Sequence, residues 1–213
     1  MELLDNPIRA YSWGSHTWIA ALQGRPAPTE APEAELWMGA HPDSPSTVRR
    51  GGAAVRLDEV LGADRLPFML KVLAADRPLS LQAHPDSKTA ARRYAEESGL
   101  PAQERLYTDP YAKPELLVAV EDFDTLCGFR DPSIAADVLD SLRVAELAPV
   151  VAALRTGSFA TRLRTATDML LHWPVGGRAA IVASVVAAAR GTDIHYLADL
   201  GERFPSDMGV VVA

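Results

Sequence analysis

Across 213 residues the chain is 48% hydrophobic and carries a formal charge of -7, which is enough apolar content for one sizeable core with or without a smaller satellite. The acidic balance excludes the broad basic surface on which nucleic-acid binding depends, and points instead to soluble small-molecule partners. A single cysteine, Cys127, excludes an internal disulfide, and Glu2, Asp5 and Arg9 break any apolar leader near the start, so the expected setting is reducing and cytoplasmic.

The N-terminal part reads as strand and loop. Residues 24–32 form a proline-rich loop, and Thr47-Val48-Arg49 and Ala54-Val55-Arg56 flank Gly51-Gly52 as the arms of a hairpin. Residues 68–73 and 79–84 are predicted as a strand pair. Asp86-Ser87 then caps a helix that runs through Tyr94 and stops at Gly99, and residues 116–120 are a further apolar, β-branched run. After Phe129 the pattern changes. Asp131-Pro132 supplies an N-cap and a first-turn proline for a helix through Leu142, and helical stretches follow at residues 145–154, 158–172, 177–190 and 193–203. The most apolar of these, around residues 179–189, is too short to span a bilayer, so no membrane segment is expected. Residues 208–213 return to a strand pattern. Strands followed by a block of helices predict the α+β fold class, with divisions at residues 1–130, 131–206 and 207–213.

The chemistry concentrates in Leu79-Ser80-Leu81-Gln82-Ala83-His84-Pro85-Asp86. Its two-residue alternation sets Ser80, Gln82 and His84 on one face of a strand and Leu79, Leu81 and Ala83 on the other. Lys113-Pro114-Glu115 stands at the head of the run 116–120. Imidazole and carboxylate are ordinary zinc ligands and an amide oxygen a rarer one, so Gln82, His84 and Glu115 are candidate ligands for one Zn2+. Two donors two residues apart on a strand reach one ion, and the third must come from a neighbouring strand. Spacing alone leaves a second reading open, in which Gln82 and His84 are solvated positions on an open sheet and Glu115 is a strand-edge charge.

Five stretches in order carry a resemblance: Tyr11-Ser12-Trp13-Gly14-Ser15, Glu35-Leu36-Trp37-Met38-Gly39-Ala40-His41-Pro42, Pro67-Phe68-Met69-Leu70-Lys71-Val72-Leu73, residues 79–86, and Tyr107-Thr108-Asp109 with Lys113-Pro114-Glu115. Together they resemble the type I phosphomannose isomerases (mannose-6-phosphate isomerases) over most of residues 1–130. Residues 131–206 resemble that family's inserted helical domain by position and composition. The resemblance implies a partial cupin-type β-barrel (jelly roll) with an inserted all-helical domain, one zinc ion, and interconversion of mannose 6-phosphate and fructose 6-phosphate. It implies Gln82, His84 and Glu115 as three of four zinc ligands, and Lys71 and Lys113 as active-site lysines. Trp13 becomes a wall against the sugar and Ser80 a donor to the substrate phosphate. Such an isomerisation moves a proton between adjacent carbons through an enediol, a step helped by a Lewis acid at the carbonyl and by fixed donors to the developing charge.

The sequence also departs from that family. No position matches its fourth ligand, a histidine on a later barrel strand, because His172 and His195 fall in helical segments. Its arginine and nearby acidic residues are expected beyond residue 213. Pro110-Tyr111-Ala112 stands where the family signature carries Asn-His ahead of Lys-Pro-Glu. His41 and Asp86 read as fixing local backbone, Asp86 as a helix N-cap, and Glu35 and Trp37 as core or neighbours of the site. Two readings stand beside the isomerase: a truncated or split member that binds metal poorly and does not turn over, and a non-catalytic sugar- or partner-binding module on a cupin scaffold. The chain alone is expected to show weak activity at most. An open strand edge at residues 208–213 is expected to invite a second copy or a separate C-terminal half.

Overall fold

Gly51 and Gly52 sit at φ 58° and 85°, a left-handed pair that glycine adopts without steric cost, and turn the chain between β4 (Thr47–Arg50) and β5 (Ala53–Arg56). The hairpin register, from Thr47↔Arg56 to Arg50↔Ala53, is the one the sequence predicts. With β1 (Leu4–Asp5) it makes an antiparallel sheet ordered β1-β4-β5, and the short helix α2 (Leu57–Leu61) follows β5. A second antiparallel sheet is ordered β2-β3-β6, from β2 (Ile8–Arg9), β3 (Glu35–Met38) and β6 (Leu70–Leu73). The computed structural model describes residues 2–213. Both sheets belong to the first of two units, which ends at Ser80, and the second unit is Leu81–Ala213.

Residues opposed in an antiparallel pair share a face, and this sorts the second sheet into a core side and a polar side. Ile8, Leu36 and Val72 oppose one another, and with Met38 and Ala74 they pack against Ile19 of α1 (Trp18–Leu22). Arg9 opposes Glu35 and Trp37 opposes Lys71, so these four lie on the other face. The chain reaches this sheet through a close crossing. A Cβ at Gly14 would stand 2.6 Å from both the N and Cα of Ala34, which leaves room only for glycine in the stretch Tyr11-Ser12-Trp13-Gly14-Ser15.

In the second unit, α3 (Ser87–Glu97) starts at an Asp86 N-cap and α4 (Pro132–Ser141) at an Asp131 N-cap with proline in its first turn, both as predicted. A 3-10 turn at Ala145–Leu147 leads into α5 (Ala148–Arg155), followed by α6 (Phe159–Leu171), α7 (Val175–Ala189), α8 (Tyr196–Arg203) and α9 (Gly209–Val212). Leu147, Val150, Val182, Val185 and Met208 are fully buried at the centre of this block, and each such side chain stabilises it by about 1.5–3 kcal/mol. Helix α8 lies so close to α7 that a Cβ at Gly201 would run into Val186.

Three expected strands do not form. Residues 79–84 take no regular secondary structure and pair with no strand among the described residues; β6, the expected partner, is paired on its β3 side alone. Alternation fixes which way side chains point, whereas a strand also requires a ladder to satisfy its backbone groups. Residues 116–120 likewise pair with no strand among the described residues, and Leu116 and Val120 are 91% and 93% exposed. Residues 208–213 were expected to be a returning barrel strand and instead contain α9, with no open edge. Met208, Val210 and Val211 are buried in the helical core, and Asp207 Oδ1 accepts from Gly209 N at 2.7 Å to start the turn. Tertiary burial overrides the β preference of three consecutive valines. The α+β class stands, and the small antiparallel sheets are consistent with a cupin-type fold. Among the described residues no single helix is long and apolar enough to cross a membrane.

Gly14→Ala should lower the stability of the first unit by about 1–3 kcal/mol, since the added methyl meets backbone rather than a movable side chain. Denaturant unfolding followed by tryptophan fluorescence checks this, and an unchanged midpoint would mean the crossing opens without cost.

Candidate metal centre

Helix α3 sets the direction of the chain on either side of the site. Asp86 Oδ1 accepts from Thr89 N at 2.8 Å, filling one of the donors that a helix start leaves unpaired. That backbone hydrogen bond holds the Asp86 carboxyl below its ordinary range. Gln82 and His84 lie just before this cap, and both are exposed. Beyond the helix, Arg105 donates from Nε to Leu100 O and from Nη2 to Ser98 O, each at 2.8 Å, closing the turn that begins the loop to Glu115. Asp109 organises the next stretch: its Oδ1 accepts from Tyr111 N at 3.0 Å and its Oδ2 stands 3.2 Å from Lys113 Nζ.

The two segments meet where His84 Nε2 stands 3.6 Å from Glu115 Oε2. That separation is too long for a hydrogen bond. It matches the spacing of two ligands on one ion, because atoms each about 2.0–2.2 Å from a tetrahedral zinc stand roughly 3.4 Å apart. The His84 and Glu115 side chains are 32% and 56% exposed, so the position between them is open to solvent, as a site that takes a substrate must be. Gln82 adds an amide oxygen on the same segment as His84. Among the described residues no group of three or more His, Cys, Asp or Glu side chains could hold a metal ion. The donors that the structure brings together are thus one imidazole and one carboxylate, a pair of ordinary zinc-ligand types, with an amide two residues before the imidazole in sequence.

In the first unit, Lys71 Nζ stands 3.6 Å from Glu35 Oε1, and Trp37 Nε1 donates to Glu35 Oε2 at 2.7 Å. The Glu35 side chain is only 9% exposed, so a buried carboxylate flanks Lys71 from the facing strand. The β3–β6 pairing could have revealed this contact, because Glu35 and Trp37 both share a face with Lys71. The half-buried Trp13 ring stacks on Tyr11 at 5.6 Å, and Ser80 is exposed at the end of the unit. The remaining histidines have local roles, His16 Nδ1 standing 2.7 Å from Thr29 O. His172 Nδ1 is 2.9 Å from Asp168 O and His195 Nδ1 3.3 Å from Thr192 O, both within helix termini, and His41 Nδ1 accepts from Asp43 N at 3.3 Å. Glu97, buried at the end of α3, escapes the sequence reading, since nothing in its local pattern separates it from the exposed charges around it.

Small antiparallel sheets, a helical block and an exposed histidine–carboxylate pair define an α+β protein with a candidate zinc centre. Residues 1–132 match the family model of the phosphomannose isomerase type I catalytic domain. The mannose-6-phosphate isomerase of Escherichia coli (strain K12) is 34% identical, aligning with 99% of this chain and 59% of the relative. A crystal structure of a glutamate-to-alanine variant of phosphomannose isomerase from Salmonella typhimurium superimposes with a TM-score of 0.86 at 31% identity, over 100% of this chain and 59% of that one. A mannose 6-phosphate isomerase bound with zinc and yttrium gives a TM-score of 0.84 at 32% identity, over the same shares of each chain. The chain belongs to the type I phosphomannose isomerase family, and it spans about three-fifths of the length of these relatives.

The Asp86 cap gives a pH-dependent test. A carboxyl lowered by folding contributes fully above its ordinary value of about 3.9 and loses that contribution as pH falls through the lowered one. Asp86→Ala should therefore reduce the unfolding midpoint at neutral pH, with a gap to the parent protein that shrinks below about pH 4. A gap independent of pH would show that the charge of the cap contributes nothing.

Proposed function

We propose that the protein acts as a zinc-dependent mannose-6-phosphate isomerase, interconverting mannose 6-phosphate and fructose 6-phosphate in a reducing, cytoplasmic setting. The observation that carries this reading is the 3.6 Å spacing of His84 Nε2 and Glu115 Oε2 in a chain of this family. Gln82, His84 and Glu115 are the residues that hold the ion. Bound there, zinc supplies Lewis acidity toward the sugar carbonyl. Lys113, steered by Asp109, offers an ammonium group to the charge that develops on the enediol oxygens; a second such role for Lys71 is assigned by the resemblance of its motif. Ser80 donates to the substrate phosphate and Trp13 packs against the sugar, assignments that rest on the resemblance of their motifs.

A second reading is favoured by the exposure of Leu116, Val118 and Val120, a run of apolar residues without a ladder. In it the chain works together with further polypeptide, from a longer chain, a separate half or another copy, that pairs this run, and alone it turns over weakly or serves only as a binding module.

Zinc analysis after loading and desalting should find one ion per chain, lost in His84→Ala; full occupancy in that variant would remove His84 from the ligand set. A coupled assay of fructose 6-phosphate formed from mannose 6-phosphate separates the two readings, with a turnover of order ten per second supporting the first. In a protein active by that assay, Lys113→Ala should lower kcat/KM by about a hundredfold with little change in the unfolding midpoint. An unchanged kcat/KM would exclude Lys113 from the chemistry.

A further inference from the structure

Glu97 is the last residue of α3, 7% exposed, and has no part in the chemistry proposed above. Its Oε2 accepts from two backbone donors, Leu106 N at 2.8 Å and Tyr107 N at 2.9 Å. Arg93 Nη2 stands 3.8 Å from its other oxygen, and the Arg93 guanidinium lies 5.7 Å over the Tyr107 ring. A buried carboxylate is tolerated only where donors replace its lost water, and here those donors belong to the loop. The chain leaves α3 at Glu97, makes the turn closed by Arg105, and is brought back to the helix by the Glu97 side chain itself.

Residues 108–115 have no ladder to locate them. Their placement starts from the anchored pair Leu106 and Tyr107 and passes through Asp109, which holds Tyr111 N and Lys113 Nζ, to Glu115. We infer that Glu97 is a positioning residue: it pins the start of the loop that presents Lys113 and Glu115, and so sets how Glu115 meets His84. The inference rests on the reading of Gln82, His84 and Glu115 as metal ligands only for its effect on zinc, and not for its effect on the loop.

Two variants separate positioning from general stability. Glu97→Leu fills the buried position with an apolar side chain of similar size and removes the acceptor. Glu97→Gln keeps an amide oxygen for Leu106 N and Tyr107 N while removing the charge seen by Arg93. In Glu97→Leu, amide hydrogen exchange at Leu106 and Tyr107 should quicken about tenfold to a hundredfold relative to amides in α6 and α7, and zinc affinity, read by chelator competition, should weaken by a similar factor. Glu97→Gln should restore most of both. Exchange at these two amides unchanged in Glu97→Leu would overturn the inference, as would zinc affinity unchanged there while His84→Ala abolishes binding. If His84→Ala binds zinc as the parent does, the metal reading falls, and the exchange result alone decides whether Glu97 pins the loop.

Discussion

The approach of His84 to Glu115 joins two stretches of chain that share no ladder, so its geometry depends on what fixes each stretch where it leaves regular structure. Both leave the same helix. Asp86 receives a backbone N–H at the start of α3 and Glu97 receives two at its end, so carboxylates at its two termini orient the chain on either side. Eleven residues make a spacer about 16 Å long, short enough that the helix would be marginal on its own. It buries only Ala90 and Glu97, so little hydrophobic burial supports it. Its caps therefore matter to the site as well as to the helix, because fraying at either end moves one of the two groups that meet.

How much of this was legible in the sequence follows from what each signal encodes. Gly51-Gly52 announces a hairpin because two successive positive φ angles select glycine, and the hairpin is there. Asp131-Pro132 and Asp86-Ser87 announce helix starts because a cap is a local bond between neighbours in sequence. Strands are different. The alternation over residues 79–84 states which side chains share a face, but the partner that makes a strand lies elsewhere in the chain, and none of the described strands pairs with this segment. Residues 208–213 failed for another reason: burying Met208, Val210 and Val211 against the helices outweighs their β preference, and Asp207 ahead of Gly209 was the local hint of a turn. Motif resemblance picked out the candidate site residues and set Glu35 as core or a neighbour of them. The contact of Glu35 with Lys71 and the whole role of Glu97 were not legible, because a buried acid is recognised by partners distant in sequence.

The two lysines assigned to the chemistry under the proposed function differ in how they are held, and this bears on how an acidic protein would receive the phosphorylated sugar of that proposal. With a formal charge of -7 the chain as a whole repels a phosphate, so local cations must act at short range, within about 8 Å at physiological salt. Lys71 faces a Glu35 side chain that is 9% exposed and fixed by the Trp37 indole, so separating the pair would leave a buried carboxylate short of a partner. Lys113 pairs with Asp109 at side-chain exposures of 47% and 26%, where an ion pair contributes little and exchanges readily. Lys71 is thus held in one orientation, whereas Lys113 can leave Asp109 for another anionic partner at small cost. When it does so, Asp109 still accepts from Tyr111 N, and the loop that carries Glu115 keeps that backbone contact while the lysine moves.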